Sequence, residues 1–197
     1  AQGANLALID MNEQQLQTAK AELGSVVTVR TYLANVASET EVEATFAAID
    51  TDFDGIDGLI NNAGILRDGL LLKFKDGELV SKMSHQQFQS VIDVNLTGVF
   101  LCGREAAALM VKSGRKGVII NMSSVARSGN MGQTNYAASK AGLIGLTKTV
   151  SKETATSGIT VNCLALGYFE VGMIDEVNPE MQTKKLILNL VWLAVQI

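Results

Sequence analysis

Short apolar, β-branched runs alternate with capped helical segments along this chain, and that alternation leaves little choice of architecture. Residues 5–9, 26–32, 58–61, 118–120 and 159–164 read as strands, the first closing on Asp10. Between them Asn12 opens a helix over residues 13–23, with Gln15 completing a capping box, and Ser38 with Glu41 opens one that ends near Asp52. Ser84 with Gln87 opens a long helix to about Lys112, and another carries Tyr136 and runs to about Ser157. Strands joined through helices run parallel. The sequence therefore predicts an α/β fold, a Rossmann-type doubly wound parallel sheet in a single domain over residues 1–197.

Composition narrows the function. A net charge of −4 argues against nucleic acid as the main partner. Cys102 and Cys163 have neither metal-ligand spacing nor a secretory signal before them, which points to buried reduced thiols in a cytoplasmic protein with no metal site. The apolar stretch over residues 186–197 falls short of the roughly 20 residues that span a bilayer, so a buried helix or strand is expected there and no membrane anchor. Asn178-Pro179 reads as a helix start, and Ala1-Gln2-Gly3-Ala4 as a last helical turn with Gly3 as its cap. Residues 73–82 interrupt the pattern and read as a small hairpin or loop around Asp76-Gly77, near the substrate entrance.

The chemistry gathers after Val118-Ile119-Ile120, in the run NMSSVARSGNMGQTNYAASKAG. Tyr136 and Lys140 are four residues apart on one helix, so the phenol and the ammonium share a face. A nearby cation favours the phenolate and lowers a tyrosine pKa from its reference of about 10, which suits proton transfer near neutral pH. Ser123 and Ser124 stand at the strand's end, where α/β folds place their reactive groups. No Ser-His-Asp or Cys-His triad is available, since His85 is the only histidine and lies in the first turn of a helix.

This segment, with Asn61-Asn62-Ala63-Gly64 and the Val-Asn-Leu-Thr-Gly run around Asn95, resembles the classical short-chain dehydrogenases/reductases, closest to the 3-oxoacyl-[acyl-carrier-protein] reductases. The resemblance covers most of Asn5 to Val177 and does not extend to the apolar tail. It implies that Tyr136 exchanges the substrate proton, that Ser124 rather than Ser123 binds the carbonyl oxygen, and that Lys140 supports the tyrosine and the nicotinamide ribose. Asn95 would anchor a water of the proton relay. Asp10, Asn35, Val36, Asn62, Ala63, Gly64, Tyr136, Lys140, Gly167 and Val171 would line the cofactor. An acidic Asp10 at a strand end accepts ribose hydrogen bonds and repels a 2′-phosphate, so NAD is expected, with NADP the alternative. The expected reaction is reduction of a 3-oxoacyl thioester in fatty-acid synthesis, with 3-hydroxyacyl-CoA, sugar or steroid alcohols as alternatives.

The resemblance also implies a homodimer or homotetramer built on the helices of Asn95 and Tyr136. The small flank of Ala137, Ala138, Ala141, Gly142 and Gly145 agrees with close approach of another backbone. An acyl carrier protein is a candidate partner, with Arg104, Lys112, Arg115 and Lys116 either contacting it or lying on a solvated helix end.

Several positions depart from the family pattern. Asn35 replaces the usual aspartate, Leu166 a proline and Val171 a threonine, and no Gly-x-x-x-Gly-x-Gly turn is present to hold a pyrophosphate. The expectation is an incomplete sheet lacking its first and last strands, part of a longer protein. Residues 1–197 alone should then leave a gap in mid-sheet or close the second strand on the fourth, and bind cofactor poorly. A catalytically silent fragment or a regulatory binding protein is the alternative reading.

Overall fold

The computed structural model describes residues 3–167 and the backbone of Leu193–Ala194. Val171, the Asn178-Pro179 helix start, Ala1-Gln2 and the rest of the apolar tail lie outside the described residues.

The strands β1 (Leu6–Asp10) and β2 (Val29–Leu33) flank helix α1 (Glu13–Leu23) and pair in parallel, Leu6 opposite Val29 and Asp10 opposite Leu33. Helix α2 (Glu39–Phe53) leads to β3 (Gly58–Asn61), and the hairpin β4 (Leu72–Lys75) and β5 (Glu78–Lys82) follows. Helices α3 (His85–Ile92) and α4 (Gly98–Lys112) are joined end to end by a π-helical turn at Asp93–Thr97. Strand β6 (Val118–Ser124), helix α5 (Thr134–Thr154), strand β7 (Thr160–Leu166) and the two-residue β8 (Leu193–Ala194) complete the order. The second sheet runs β3-β6-β7-β8, parallel except for β8, which adds antiparallel to β7 inside the apolar stretch where a buried helix or strand is expected, so a short strand stands at the edge expected to be bare.

The sheet is split. Among the described residues β1 pairs only with β2 and β3 only with β6, so the mid-sheet gap is the outcome found. Apolar packing joins the halves: Val42 and Phe46 of α2 and Leu101, Cys102 and Ala106 of α4 form a buried cluster that receives Ile9 of β1 and Leu59 of β3. Ile60, beside that gap, is 64% exposed. A second cluster of Met110, Ile119, Ile159 and Val161 and a third of Val99, Leu143 and Cys163 seal the faces of β6 and β7. The α3–α4 rod is long and apolar enough to cross a bilayer by length and composition, yet Val91, Val99, Leu101, Cys102, Ala106 and Met110 bury themselves in this protein core.

Local chemistry accounts for most boundaries. Asn12 accepts from the Gln15 amide at 3.1 Å and Ser84 from the Gln87 amide at 3.0 Å, as N-caps do. Ser38, in contrast, makes no side-chain cap bond; Glu41 instead accepts from the Asn35 amide at 2.9 Å, drawing the turn before α2 onto the helix. The strand expected over residues 26–32 begins at Val29, because Val26 is 64% exposed and gains nothing from the sheet. The hairpin around Asp76-Gly77 forms as expected, both residues taking positive φ (54° and 85°) as a type I′ turn requires.

Candidate active site

Strand β6 delivers its last two side chains differently. Ser123 is buried, and its hydroxyl donates to the Lys140 carbonyl at 2.8 Å, fastening α5 to the sheet. Ser124 is half-buried and caps the 3-10 turn Val125–Ser128, its oxygen accepting from the Ala126 amide at 3.1 Å. That bond uses a lone pair and leaves the hydroxyl proton for another acceptor. Ser123 is thus committed to structure, whereas Ser124 keeps a donor.

Tyr136 and Lys140 lie in the first turns of α5, with the ammonium 5.5 Å from the centre of the phenol ring. Lys140 is 5% exposed and donates to the Met122 carbonyl at 2.6 Å. Burial pulls its pKa down to about 8, the charge of Cys163 opposing that fall. The helix is also held lower down, where Asn121 donates to the Thr147 hydroxyl and accepts from Asn61 of β3, both at 2.9 Å. Asn61, Asn121 and Thr147 thereby form a buried polar ladder across β3, β6 and α5, every amide partnered as burial demands.

Asn95 is fully buried in the π-helical turn. Its Oδ1 accepts from the Ile65 amide at 2.8 Å and its Nδ2 donates to the Ile65 carbonyl at 3.0 Å. The Ile65 backbone thus takes one lone pair and one N–H of the amide. Gly64 passes between Asn95 and Lys140: a side-chain carbon built there would lie 3.5 Å from Asn95 Oδ1 and 3.9 Å from Lys140 Nζ. Gly64, Asn95 and Lys140 are thus brought together, with Tyr136 one helical turn from Lys140, and Ser124 stands at the C-terminal end of β6.

The residues expected to line a cofactor are distributed around this group. Asn62 and Ala63 are exposed where β3 ends. Asp10, exposed at the end of β1, accepts from the Asn12 amide at 2.8 Å, so it serves the turn while remaining open to solvent. Asn35 accepts from the Ala37 amide at 3.0 Å, and Val36 presses against α4 at Gly98, where a side-chain carbon would come 2.9 Å from Val36 Cγ2 and 3.1 Å from its carbonyl. Gly167 follows β7, and among the described residues nothing lies within 4 Å of a side-chain carbon built on it. The chain thus offers ribose acceptors at Asp10, a flat approach at Gly64 and a cation at Lys140, which suit the two riboses of a nicotinamide dinucleotide.

Sequence reasoning passed over three side chains that shape the site. Gln87, read as half of a capping box, donates instead to the carbonyls of Arg67 and Asp68 at 3.0 and 3.1 Å. Asn135, fully buried, and Gln133 tie the same segment to the start of α5. A buried amide one residue before Tyr136 was the available signal. Of the four cations considered for a carrier protein, Arg104 is held by Glu39, Glu43 and Glu105, Lys112 by Asp50, and Arg115 by Asp57.

Comparison with known proteins matches residues 1–182 to the short chain dehydrogenase family. Nodulation protein G of Rhizobium meliloti (strain 1021) is 42% identical over 188 residues, which is 95% of this chain and 72% of that protein. The 3-oxoacyl-[acyl-carrier-protein] reductase of Synechocystis sp. is 48% identical over 148 residues, 75% of this chain and 56% of that protein. The 3-oxoacyl-[acyl-carrier-protein] reductase FabG of Staphylococcus aureus (strain Mu50) is 44% identical over 154 residues, 78% of this chain and 58% of that protein.

Proposed function

The chain belongs to the short-chain dehydrogenase family of NAD(P)-linked oxidoreductases, and from that premise we propose that its full-length protein reduces the ketone of a 3-oxoacyl thioester to the 3-hydroxyacyl thioester. The observation that carries this reading is the buried Lys140 ammonium 5.5 Å from the Tyr136 ring, at the end of the strand that presents Ser124. The names of the reductases from Synechocystis and Staphylococcus support the substrate class.

A nicotinamide held by Lys140 and the Gly64 segment would supply hydride chemistry at the substrate carbonyl. Ser124 donates its free hydroxyl proton in a hydrogen bond to the carbonyl oxygen, where negative charge develops. Tyr136 transfers its phenolic proton to that oxygen and completes the alcohol; in the reverse direction the phenolate takes it back. Lys140 favours the phenolate through its charge and reaches the nicotinamide ribose. Asn95 is assigned to anchor the relay water: its contacts with Ile65 take one lone pair and one N–H of the amide and leave a second of each.

Asp10 supports NAD over NADP, and Asn62, Ala63, Gly64, Asn35 and Val36 the adenosine end; Gly167 and Val171 are assigned to the nicotinamide end. For self-association in the cytoplasm as a homodimer or homotetramer, the outer faces of α4 and α5 are the fitting surface: Phe100 is 44% and Val111 54% exposed, and Gly145 has open space. Arg104, Lys112 and Arg115 form solvent-accessible ion pairs that a carrier protein's carboxylates would have to displace, which supports the reading of a solvated helix surface for these three. The test is an assay of full-length protein with acetoacetyl thioesters and NADH or NADPH. Wild type should turn over and Tyr136→Phe should lose kcat by roughly 1,000-fold with cofactor binding kept; full turnover by Tyr136→Phe refutes the reading.

A further inference from the structure

One buried and one half-buried amide outside the Ser124, Tyr136 and Lys140 group, Asn135 and Gln87, converge on one short stretch of backbone, residues 65–69. Asn135, fully buried, donates through Nδ2 to the Arg67 carbonyl at 2.9 Å and to the Gln87 carbonyl at 3.1 Å. Its Oδ1 accepts from the Tyr136 amide at 2.8 Å. Gln87 approaches the same stretch from α3, donating to the Arg67 and Asp68 carbonyls at 3.0 and 3.1 Å. Gln133 Nε2 donates to Asp68 Oδ2 at 2.9 Å, and the Gly69 amide donates to the Gly132 carbonyl at 2.8 Å. The near end of the stretch is held by Asn95 at Ile65, next to Gly64 and its approach to Lys140.

Capping alone does not explain Asn135. Any serine or threonine oxygen satisfies a first-turn amide, but only a carboxamide accepts from Tyr136 N–H while giving both of its own protons to carbonyls on two other segments. Each of the three partners has one possible polarity, so the orientation of the amide is fixed. We propose that Asn135 is a positioning residue for the proton transfer: it locks the turn of α5 that carries Tyr136 to the segment that carries Gly64, and Gln87 braces that segment from behind. The phenol and the Lys140 ammonium then keep their spacing when ligands enter. This rests on the reading of Tyr136 as the proton donor.

Asn135→Ser in the full-length protein keeps a short acceptor and loses the double donor. Its kcat should fall roughly 10- to 100-fold with KM little changed, as small misplacements at a reacting centre do. The limb of the pH profile set by Tyr136 should move to higher pH, because a phenol shifted from its cation ionises less readily. Gly69→Ala, whose new carbon would come 2.8 Å from Gln87 Nε2, should move the limb in the same direction without touching Asn135. A merely structural amide would lower the melting temperature and leave the pH profile in place, and that result overturns the proposal. If Asn135→Ser does not fold, Gly69→Ala and Gln87→Ala decide by the same profile. An inactive Tyr136→Phe beside a wild-type-like Asn135→Ser removes only the coupling; an active Tyr136→Phe removes the reading beneath it.

Discussion

Lys140 directs its ammonium at the carbonyl of Met122, 2.6 Å away, and that one acceptor stands against nearly complete burial. A charge so poorly compensated is costly to the fold, which is why its pKa falls from 10.5 to about 8.

The sign of the pH effect follows. Between about pH 8 and 10.5 the unfolded chain holds a proton on this lysine that the folded chain has released, so stability contributed through Lys140 rises with pH across that window. Below about 8 the full penalty, on the order of 3 kcal/mol, is present. Thermal melts of wild type and Lys140→Met should therefore show wild type gaining on the variant as pH rises from 8 to 10.5. A difference independent of pH would refute this.

The exposed carboxylate of Asp10 should discriminate between cofactors. A dianionic 2′-phosphate near a solvent-facing carboxylate meets repulsion of about 1 kcal/mol, roughly a fivefold change in preference. Asp10→Ser in the full-length protein should raise the kcat/KM ratio of NADPH to NADH by at least that much. A ratio that stays fixed, or a wild type preferring NADPH, counts against the assignment.

Gly98 lets α4 approach the turn at Val36, and the contact includes the Val36 carbonyl, which cannot rotate away as a side-chain tip can. Gly98→Ala should destabilise the fold by about 1 to 3 kcal/mol, the usual range for overpacking. Denaturant melts measure this directly; a variant as stable as wild type would show that the turn yields freely.

Cys102 and Cys163 are 4% and 1% exposed, and burial raises both thiol pKa values, that of Cys102 to about 11. Neither should react with a thiol reagent at pH 8 in the folded protein, and both should react in denaturant. Prompt labelling of either one without denaturant contradicts the packing around it.

The elements legible in the sequence were those fixed by local rules: Asn12 and Ser84 as caps, Asp76-Gly77 as a turn, Tyr136 and Lys140 one helical turn apart. What escaped depends on contacts between distant segments. Gln87 sits where a capping box would place it, yet carbonyls twenty residues back in sequence claim its amide. The π-helical turn at Asn95 has no local signature; within it a buried amide reaches the backbone of Ile65, thirty residues away in sequence. Ser38 fits the cap consensus, but Glu41 reached the nearby backbone amide and the hydroxyl was left out.

The divided sheet bears on cooperativity. Hydrogen-bonded strands share their fate in unfolding, but among the described residues β1 and β3 do not pair and meet through side chains of α2 and α4 gathered around Phe46. The half that presents Asp10 can then open at a lower free energy than the half that holds Ser124, Tyr136 and Lys140. Within the described residues, loosening the unit around Asp10 need not disarm the unit around Tyr136.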